Sequence, residues 1–328
     1  MPGPPGPPGP HGLADDGELD GDVLEQALLA EIEDRTDTRQ QARAHLGALR
    51  GRDYLSTLVA AVPAMEPAAQ ALVRLLEAVE ADPRWQVLAL REPSPRPTPG
   101  EVMELRLGAD PALQEPPGHE VEELVRRLGR VVDLLVRRDP GPPPRASVVA
   151  ELSGGLRLRI LAAPAGVVPP GGVLLHGAVP PARDGGTPVP GAGPVTGPAV
   201  GLPRARAWLF EGWWALGDVA AALGARSFLQ AGESLAEVRR AVCRLWAVGE
   251  GVPDPGSGLA ALLRVSAART PKGLEQLMPR PLPAELRTAA LAAADQLHAA
   301  ANHAGRRLGQ VPRSALEQSV RRRLSARR

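Results

Sequence analysis

The sequence predicts an α+β protein, with a small mixed sheet flanked by helices and followed by a helical bundle. Apolar residues recur at helical spacing up to about residue 83, at strand spacing between 85 and 160, and at helical spacing again from about 204. Composition supports the same class, since 44% of residues are hydrophobic and only 2% are aromatic. Ala and Leu supply much of that apolar content, which favours helical packing.

Four segments are expected along the 328 residues. Residues 1–20 form a disordered Pro/Gly-rich leader, and residues 21–66 form an acidic helical extension. Residues 67–203 form an α/β domain with a Gly/Pro-rich loop at 164–203, and residues 204–328 form a helical bundle with a basic tail.

Short helices open the fold. Pro67 suits the first turn of one helix, and Pro83 ends it. Its apolar stripe is Leu72, Leu75, Leu76 and Val79. Three similar stripes precede it, carried by Val23, Leu24, Ala27, Leu28 and Ile32, by Ala42, Leu46 and Leu49, and by Leu55, Leu58, Val59 and Val62.

The strands come next. Residues 85–90 read as a short strand, and residues 103–107 alternate as a half-buried strand does. A helix is expected from about His119 to Leu128, and the run Val131 to Val136 is expected to be a buried strand. A further short strand is expected at residues 173–176, inside the Gly/Pro-rich loop.

A hairpin at residues 147–160 carries the first candidate site. Ser153-Gly154-Gly155 forms its turn, and Arg157 and Arg159 follow on the second strand. Residues two apart on a strand share a face, so these arginines are candidates for binding a phosphate or a carboxylate. The alternative is that both are solvated on an exposed face.

Helices return at about Arg204 and fill the rest of the chain. Capping boxes are expected at Ser234 with Glu237 and at Ser314 with Glu317. Between them, helical runs cover about 259–269 and 283–302. Residues 216–245 read either as a helix-turn-helix or as a generic helical hairpin, and the acid Glu237 in the second helix favours the hairpin.

Aromatic residues are concentrated in this block. Six of the eight in the chain lie within 39 residues. One interpretation makes them the nucleus of the C-terminal core, because large rings dominate burial. The other makes Trp208, Trp213 and Trp214 anchors for a protein partner, because Trp is favoured at interface hot spots.

Charge is polarised although the net charge is only +1. Residues 15–37 carry ten acids against Arg35, whereas residues 306–328 carry eight arginines against Glu317. Five of those arginines are candidates for contacting nucleic-acid phosphates: Arg321, Arg322, Arg323, Arg327 and Arg328. The alternative is a solvated helix end, where cations are favourable.

Several classes of function are excluded or disfavoured. The single lysine, Lys272, has no P-loop glycine frame around it, and the six histidines lack metal-binding spacing. No apolar run is long enough for a membrane span, and the lone Cys243 suits a reducing cytoplasm. With one lysine and one asparagine, the composition is typical of a GC-rich bacterial genome, so the arginine excess is weak evidence for nucleic acid.

Three segments carry a resemblance to a known family. They are Ser153 to Ile160, Val173 to His176, and the run Trp213-Trp214-Ala215-Leu216-Gly217-Asp218-Val219-Ala220. With the element order, they are similar to pieces of nucleotidyltransferases of the aminoglycoside-modifying kind, in the polymerase-beta-like superfamily. The resemblance covers about residues 67–300 and implies a nucleotidyltransferase-like α/β domain.

The acids of that family are where this chain departs. In the family, a Gly-Ser follows the first strand, an Asp-x-Asp lies on the second, and a third acid lies on the strand after the glycine turn, together holding magnesium and a nucleoside triphosphate. Here Arg91-Glu92 follows the first strand, and the nearest acids on the second, Glu101 and Glu104, face opposite sides. Arg159 holds the third position. The resemblance therefore implies a degenerate, non-catalytic member with no cofactor, no catalytic residue and no metal ligand.

The leading hypothesis is a cytoplasmic protein that works by binding, as a regulatory subunit or adaptor, with a protein partner and with a nucleotide or another anion as a further ligand. The first alternative is an active nucleotidyltransferase acting on a small molecule, with Glu101, Glu104 or Glu151 lining a cleft beside another carboxylate. The second is an unrelated interaction or nucleic-acid-associated protein that uses its C-terminal arginines.

Overall fold

The computed structural model describes residues 66–91, 102–110, 118–139, 145–165, 173–177, 200–253 and 270–326, with isolated positions between 53 and 60 and between 255 and 262. All of them belong to one compact unit, Leu49–Arg328. The helices expected between residues 21 and 49, and all of the run at 259–269 except Leu262, lie outside the described residues.

The chain forms a mixed sheet with flanking helices and then a helical region, which confirms the predicted α+β class. The first part contains α1 (Glu66–Glu80), β1 (Trp85–Leu90), β2 (Val102–Ala109), α2 (Gly118–Leu128), β3 (Val131–Asp139), β4 (Arg145–Leu152), β5 (Arg157–Pro164) and β6 (Val173–Gly177). The second contains α3 (Leu202–Gly224), α4 (Phe228–Gly249), a 3₁₀ turn (Leu274–Leu277), α5 (Pro283–Leu308) and α6 (Leu316–Ser325).

The six described strands lie in the order β3-β4-β5-β2-β1-β6. Only the central pair, β2 and β5, runs parallel, and its register sets Glu104 opposite Arg159. The hairpin of β4 and β5 turns at Ser153 to Gly155, where Gly154 and Gly155 have φ of 96° and 85°. Those left-handed conformations suit glycine, as the sequence indicates for this turn.

Helices cover both faces of the sheet. On one face, α1 lies against β1 and β6, and α2 lies against β3, β4 and β5. On the other, Val149 is part of the bundle core and Val102 and Leu135 pack against that core. We call this second side the bundle face.

The bundle is built around α3, α4 and α5. Trp213 is fully buried, and the rings of Phe210 and Trp214 stack with centroids 5.8 Å apart. Helix α5 contributes mainly alanines to this core, which lets its neighbours approach closely. The closeness is visible at Gly212, where an added Cβ would lie 2.8 Å from a methyl of Leu297.

The predicted capping box at Ser234 and the predicted burial of β3 are wrong. The capping box at Ser234 is not a helix start, because α4 already begins at Phe228 and Ser234 lies inside it. Ser and Glu three apart occur equally well on a solvated helix side, where Glu237 pairs with Arg240. Strand β3 is not a buried strand either, because it lies at an edge of the sheet and most of its residues are half-buried.

Among the described helices, we find none whose length and hydropathy would let it cross a membrane.

Candidate functional site

Polar side chains converge on the bundle face of the sheet. Register pairs Asp133 of β3 with Glu151 of β4, and Glu151 with Arg157 of β5. Two residues further along β5, Arg159 pairs with Glu104 of β2. Cross-strand partners share a face, and so do residues two apart on a strand, so all five side chains belong to the bundle face.

Arg157 is fully buried between β5 and α3. Its Nη1 donates to Asp218 Oδ1 at 2.5 Å, and its Nη2 donates to the carbonyl of Trp214 at 2.7 Å. Its guanidinium carbon lies 3.8 Å from the Trp214 ring centroid. Burial lowers the pKa of Arg157, and the charge of Asp218 opposes that shift. Both sequence interpretations assumed a solvent-facing Arg157, so this placement corrects them.

Gly217 makes room for the guanidinium of Arg157. A Cβ at position 217 would lie 3.1 Å from Cζ and 3.2 Å from Nη2 of Arg157. Those distances are shorter than ordinary van der Waals contact. The segment around Gly217, one of those that carry the family resemblance, therefore serves here as the wall of a buried ion pair.

Glu151 is 1% exposed and is held by the last helix. Arg323 Nη2 of α6 donates to Glu151 Oε2 at 2.7 Å, and Ser319 Oγ donates to Glu151 Oε1. Arg157 Nε lies 4.0 Å from Glu151 Oε2. A buried carboxylate needs such partners because an isolated charge is strongly disfavoured in the interior. Glu151 therefore ties α6 to the sheet.

Asp133 is 7% exposed and makes a second connection between sheet and bundle. Its Oδ1 accepts from Arg206 Nη2 at 2.6 Å. Its Oδ2 accepts from Ser314 Oγ at 2.7 Å and from the backbone N–H of Ala315 at 3.0 Å. Ser314 lies two residues before α6 and accepts from the N–H of Leu316 at 3.3 Å. The N-cap residue of α6 is Ala315, no side-chain cap hydrogen bond forms, and Glu317 pairs with Arg321, so the capping box expected at Ser314 with Glu317 is wrong.

Arg159 is 47% exposed by side chain and lies on the open part of the bundle face. Its Nη1 donates to Glu104 Oε1 at 2.9 Å. The other oxygen of Glu104 accepts from Nη1 of Arg91, just after β1. That hydrogen bond raises the pKa of Arg91. Glu104 is therefore shared between two guanidinium groups, one on each side.

An active enzyme is expected to place Glu101, Glu104 or Glu151 in a cleft beside another carboxylate. Glu104 faces arginines, and Glu151 lies opposite Asp133 but is satisfied by α6. Glu101 lies outside the described residues. Within the described ranges, no group of three or more His, Cys, Asp or Glu side chains is arranged to hold a metal ion.

The tryptophan candidates lie in the core. Trp213 is fully buried, and Trp208 and Trp214 are each 6% exposed. A ring already covered by its own chain has little area left for a partner, so their burial favours the interpretation as a core nucleus. The region 216–245 spans the long helices α3 and α4, which are joined by residues 225–227 as a helical hairpin.

The C-terminal arginines have different environments. Arg321 donates to Asp295 and Glu317 and lies over the Trp213 ring at 5.5 Å, and Arg323 binds Glu151. Arg322 is exposed. Arg327 and Arg328 lie outside the described residues. Two of the five candidates are therefore engaged within the fold.

Sequence reasoning missed Asp133, Asp218 and Arg91 as partners. A signal existed for Asp133, which interrupts the apolar run of β3, since an acid in such a run needs a buried partner. No signal marked Asp218 or Arg91, because their partners are 61 and 13 residues away in the sequence.

Comparisons with known proteins find distant similarity among solved structures. No family model matches the sequence, and no curated protein matches it either. Among solved structures, an aminoglycoside 6-adenyltransferase from Bacillus subtilis matches with a TM-score of 0.34 and 12% identity, over 78% of this chain and 97% of that one. A similarity of that size assigns neither a family nor an activity to this chain.

Proposed function

We propose that this chain is a nucleotidyltransferase-like protein that no longer transfers nucleotides and acts by binding, as a regulatory subunit or adaptor. The observation that carries the proposal is the pair of Glu104 and Arg159 across the parallel central strands. The sequence resemblance implies acids on both of these strands, and acids so placed hold a divalent cation between them.

A guanidinium in place of one acid changes the electrostatics of that position. Arg159 carries a permanent positive charge and already neutralises Glu104 at 2.9 Å. A divalent cation at the same point would have to displace an arginine and would be repelled by it. The charge of Arg159 therefore disfavours metal-assisted phosphoryl transfer at the central strands.

The remaining acids of the bundle face support the same proposal. Asp133, Glu151 and Asp218 each accept a hydrogen bond from an arginine. A carboxylate with these partners serves to hold the sheet to the helices. Recruiting Asp218 for catalysis would also take the nearest counter-charge from the buried Arg157.

The test is a transfer assay with the purified full chain. Nucleoside triphosphates labelled at the α-phosphate are supplied with magnesium and a panel of small acceptors, including aminoglycosides. We expect no labelled product. The matched variant Glu104→Gln separates a real activity from a contaminant, because magnesium-dependent transfer that is present in the native chain and lost in this variant would refute the proposal.

A further inference from the structure

We propose that Arg91 and Arg159 form a metal-free site for a phosphate-type dianion, and that Glu104 is an internal counter-ion which the ligand displaces. The inference rests on the proposed function, because it names the ligand class of a protein that acts by binding. It also replaces the buried Arg157 by Arg91 as the partner of Arg159 in an anion site.

The geometry of the three side chains is the first argument. Arg159 Nη1 lies 2.9 Å from Glu104 Oε1, and Arg91 Nη1 binds Glu104 Oε2. Each oxygen of one carboxylate is therefore held by a different arginine. An anion that takes the place of the carboxylate meets two converging guanidinium groups.

The backbone fixes this arrangement. Glu104 and Arg159 are register partners on β2 and β5, in the middle of the sheet. The N–H of Arg91 donates to the carbonyl of Glu104 at 2.8 Å, which holds the end of β1 against β2. Arg159 lies on a strand and Arg91 is held one residue beyond the end of another, so the backbone positions of the two arginines are fixed relative to each other.

Exposure is the second argument. The side chains of Arg91 and Arg159 are 61% and 47% exposed, and that of Glu104 is 27% exposed. A ligand can reach the pair from solvent and Glu104 can swing away from it. Arg157, two residues from Arg159, is fully buried and cannot be reached in this way.

Charge balance is the third argument. Two guanidinium groups face one carboxylate, so the cluster keeps one positive charge that Glu104 does not neutralise. A phosphate dianion carries one more negative charge than a carboxylate and has more acceptor oxygens. The planar guanidinium group of arginine binds such oxyanions through paired, charge-assisted hydrogen bonds. A dianion therefore matches the pair of arginines better than Glu104 does.

The experiment is a calorimetric titration of the full chain with inorganic phosphate, in EDTA and at low ionic strength, with chloride at matched ionic strength as the blank. Arg159→Gln and Arg91→Gln should each weaken binding by about tenfold, the size expected for one lost charge-assisted contact. Glu104→Gln should tighten binding by about threefold, because the internal competitor loses its charge. The matched control is Arg126→Gln, which removes an exposed arginine paired with Glu122 on α2 and should change nothing.

A second titration with phenyl phosphate distinguishes a free phosphate ion from a phosphomonoester group. Binding of either probe with the stated response to Glu104→Gln supports the site, and the tighter probe identifies the source. Phosphate binding that is unaffected by Arg159→Gln, or weakened by Glu104→Gln, would overturn the inference, as would no binding of either probe. Those results would leave the proposed function standing, because that depends on the transfer assay.

Discussion

Arg157 on β5 and Asp218 on α3 form an ion pair that joins the sheet to the bundle across 61 residues of sequence. The arginine is fully buried, whereas the aspartate side chain is 32% exposed. Removing either partner should therefore change the stability of the fold by a different amount. Asp218 already contacts solvent and can be hydrated when Arg157 is removed, whereas Arg157 has no exposed surface of its own and would lose its nearest counter-charge when Asp218 is removed.

Asp218→Ala should destabilise the fold more than Arg157→Met. Removing one partner of a buried pair costs about 3–5 kcal/mol, and the partial exposure of Asp218 reduces this to about 2–4 kcal/mol. Arg157→Met removes the buried charge and keeps much of the volume, so its cost should be smaller. Urea unfolding of both variants gives the comparison. An Arg157→Met variant as unstable as Asp218→Ala would contradict the asymmetry.

Gly217→Ala should destabilise the protein by about 1–3 kcal/mol, the usual range for overpacking. The added Cβ would approach the Arg157 guanidinium to 3.1 Å. Gly232→Ala is the matched control, because Gly232 also lies in a helix and a Cβ there meets nothing within 4 Å. The free energy of unfolding of that control should rise by about 0.5–1 kcal/mol, because alanine has a higher helix propensity than glycine. Thermal unfolding of the two variants should therefore show shifts of opposite sign.

Arg323→Ala should loosen α6 from the sheet. The substitution leaves the buried Glu151 with Ser319 and a more distant Arg157 as partners. We expect the free energy of unfolding to fall by about 1–3 kcal/mol. Arg322→Ala, one position away and exposed, should stay within about 0.5 kcal/mol of the native chain. Hydrogen exchange at residues 316–325 measures the effect locally. Equal exchange in the two variants would show that Glu151 does not hold the helix.

Cys243 should be unreactive toward a thiol reagent such as DTNB in the folded protein. Its side chain is buried, and burial raises its pKa to about 11 from 9.0. A raised pKa means that less thiolate is present at pH 8, and the thiolate is the reactive form. Reaction in denaturant should be complete within minutes, whereas the native chain should react only as fast as it opens. Rapid native labelling would contradict the burial.

The sequence predicted most elements, because their signals are local. Periodicity and turn residues located the strands at 85–90 and 103–107, the hairpin around Gly154 and the helix ending at Leu128, each within a few residues. The wrong predictions for Ser234 and β3 have the same cause. A serine followed three residues later by a glutamate gives the same sequence pattern inside a helix as at its N-cap. A short apolar run does not reveal whether a strand lies inside a sheet or at its edge.

The candidate site was less predictable, since it depends on pairs that are distant in sequence. The shared face of Arg157 and Arg159 follows from strand alternation. Their different burial does not, because it depends on Gly217 and Asp218 of α3 lying over Arg157 alone. In the same way, only the parallel pairing of β2 and β5 brings Glu104 to Arg159.

The attachment of α6 also depends on contacts between residues that are far apart in the sequence. Asp133 and Glu151 find their partners at residues 314–323, between 168 and 182 positions later in the chain. Contacts of such long range form late, because a large loop must close first. A growing polypeptide that has emerged from the ribosome only as far as α5 holds two carboxylates in an apolar sheet without most of their partners. We therefore expect Asp133 and Glu151 to gain their full set of hydrogen bonds only after α6 has been synthesised and has docked on the sheet.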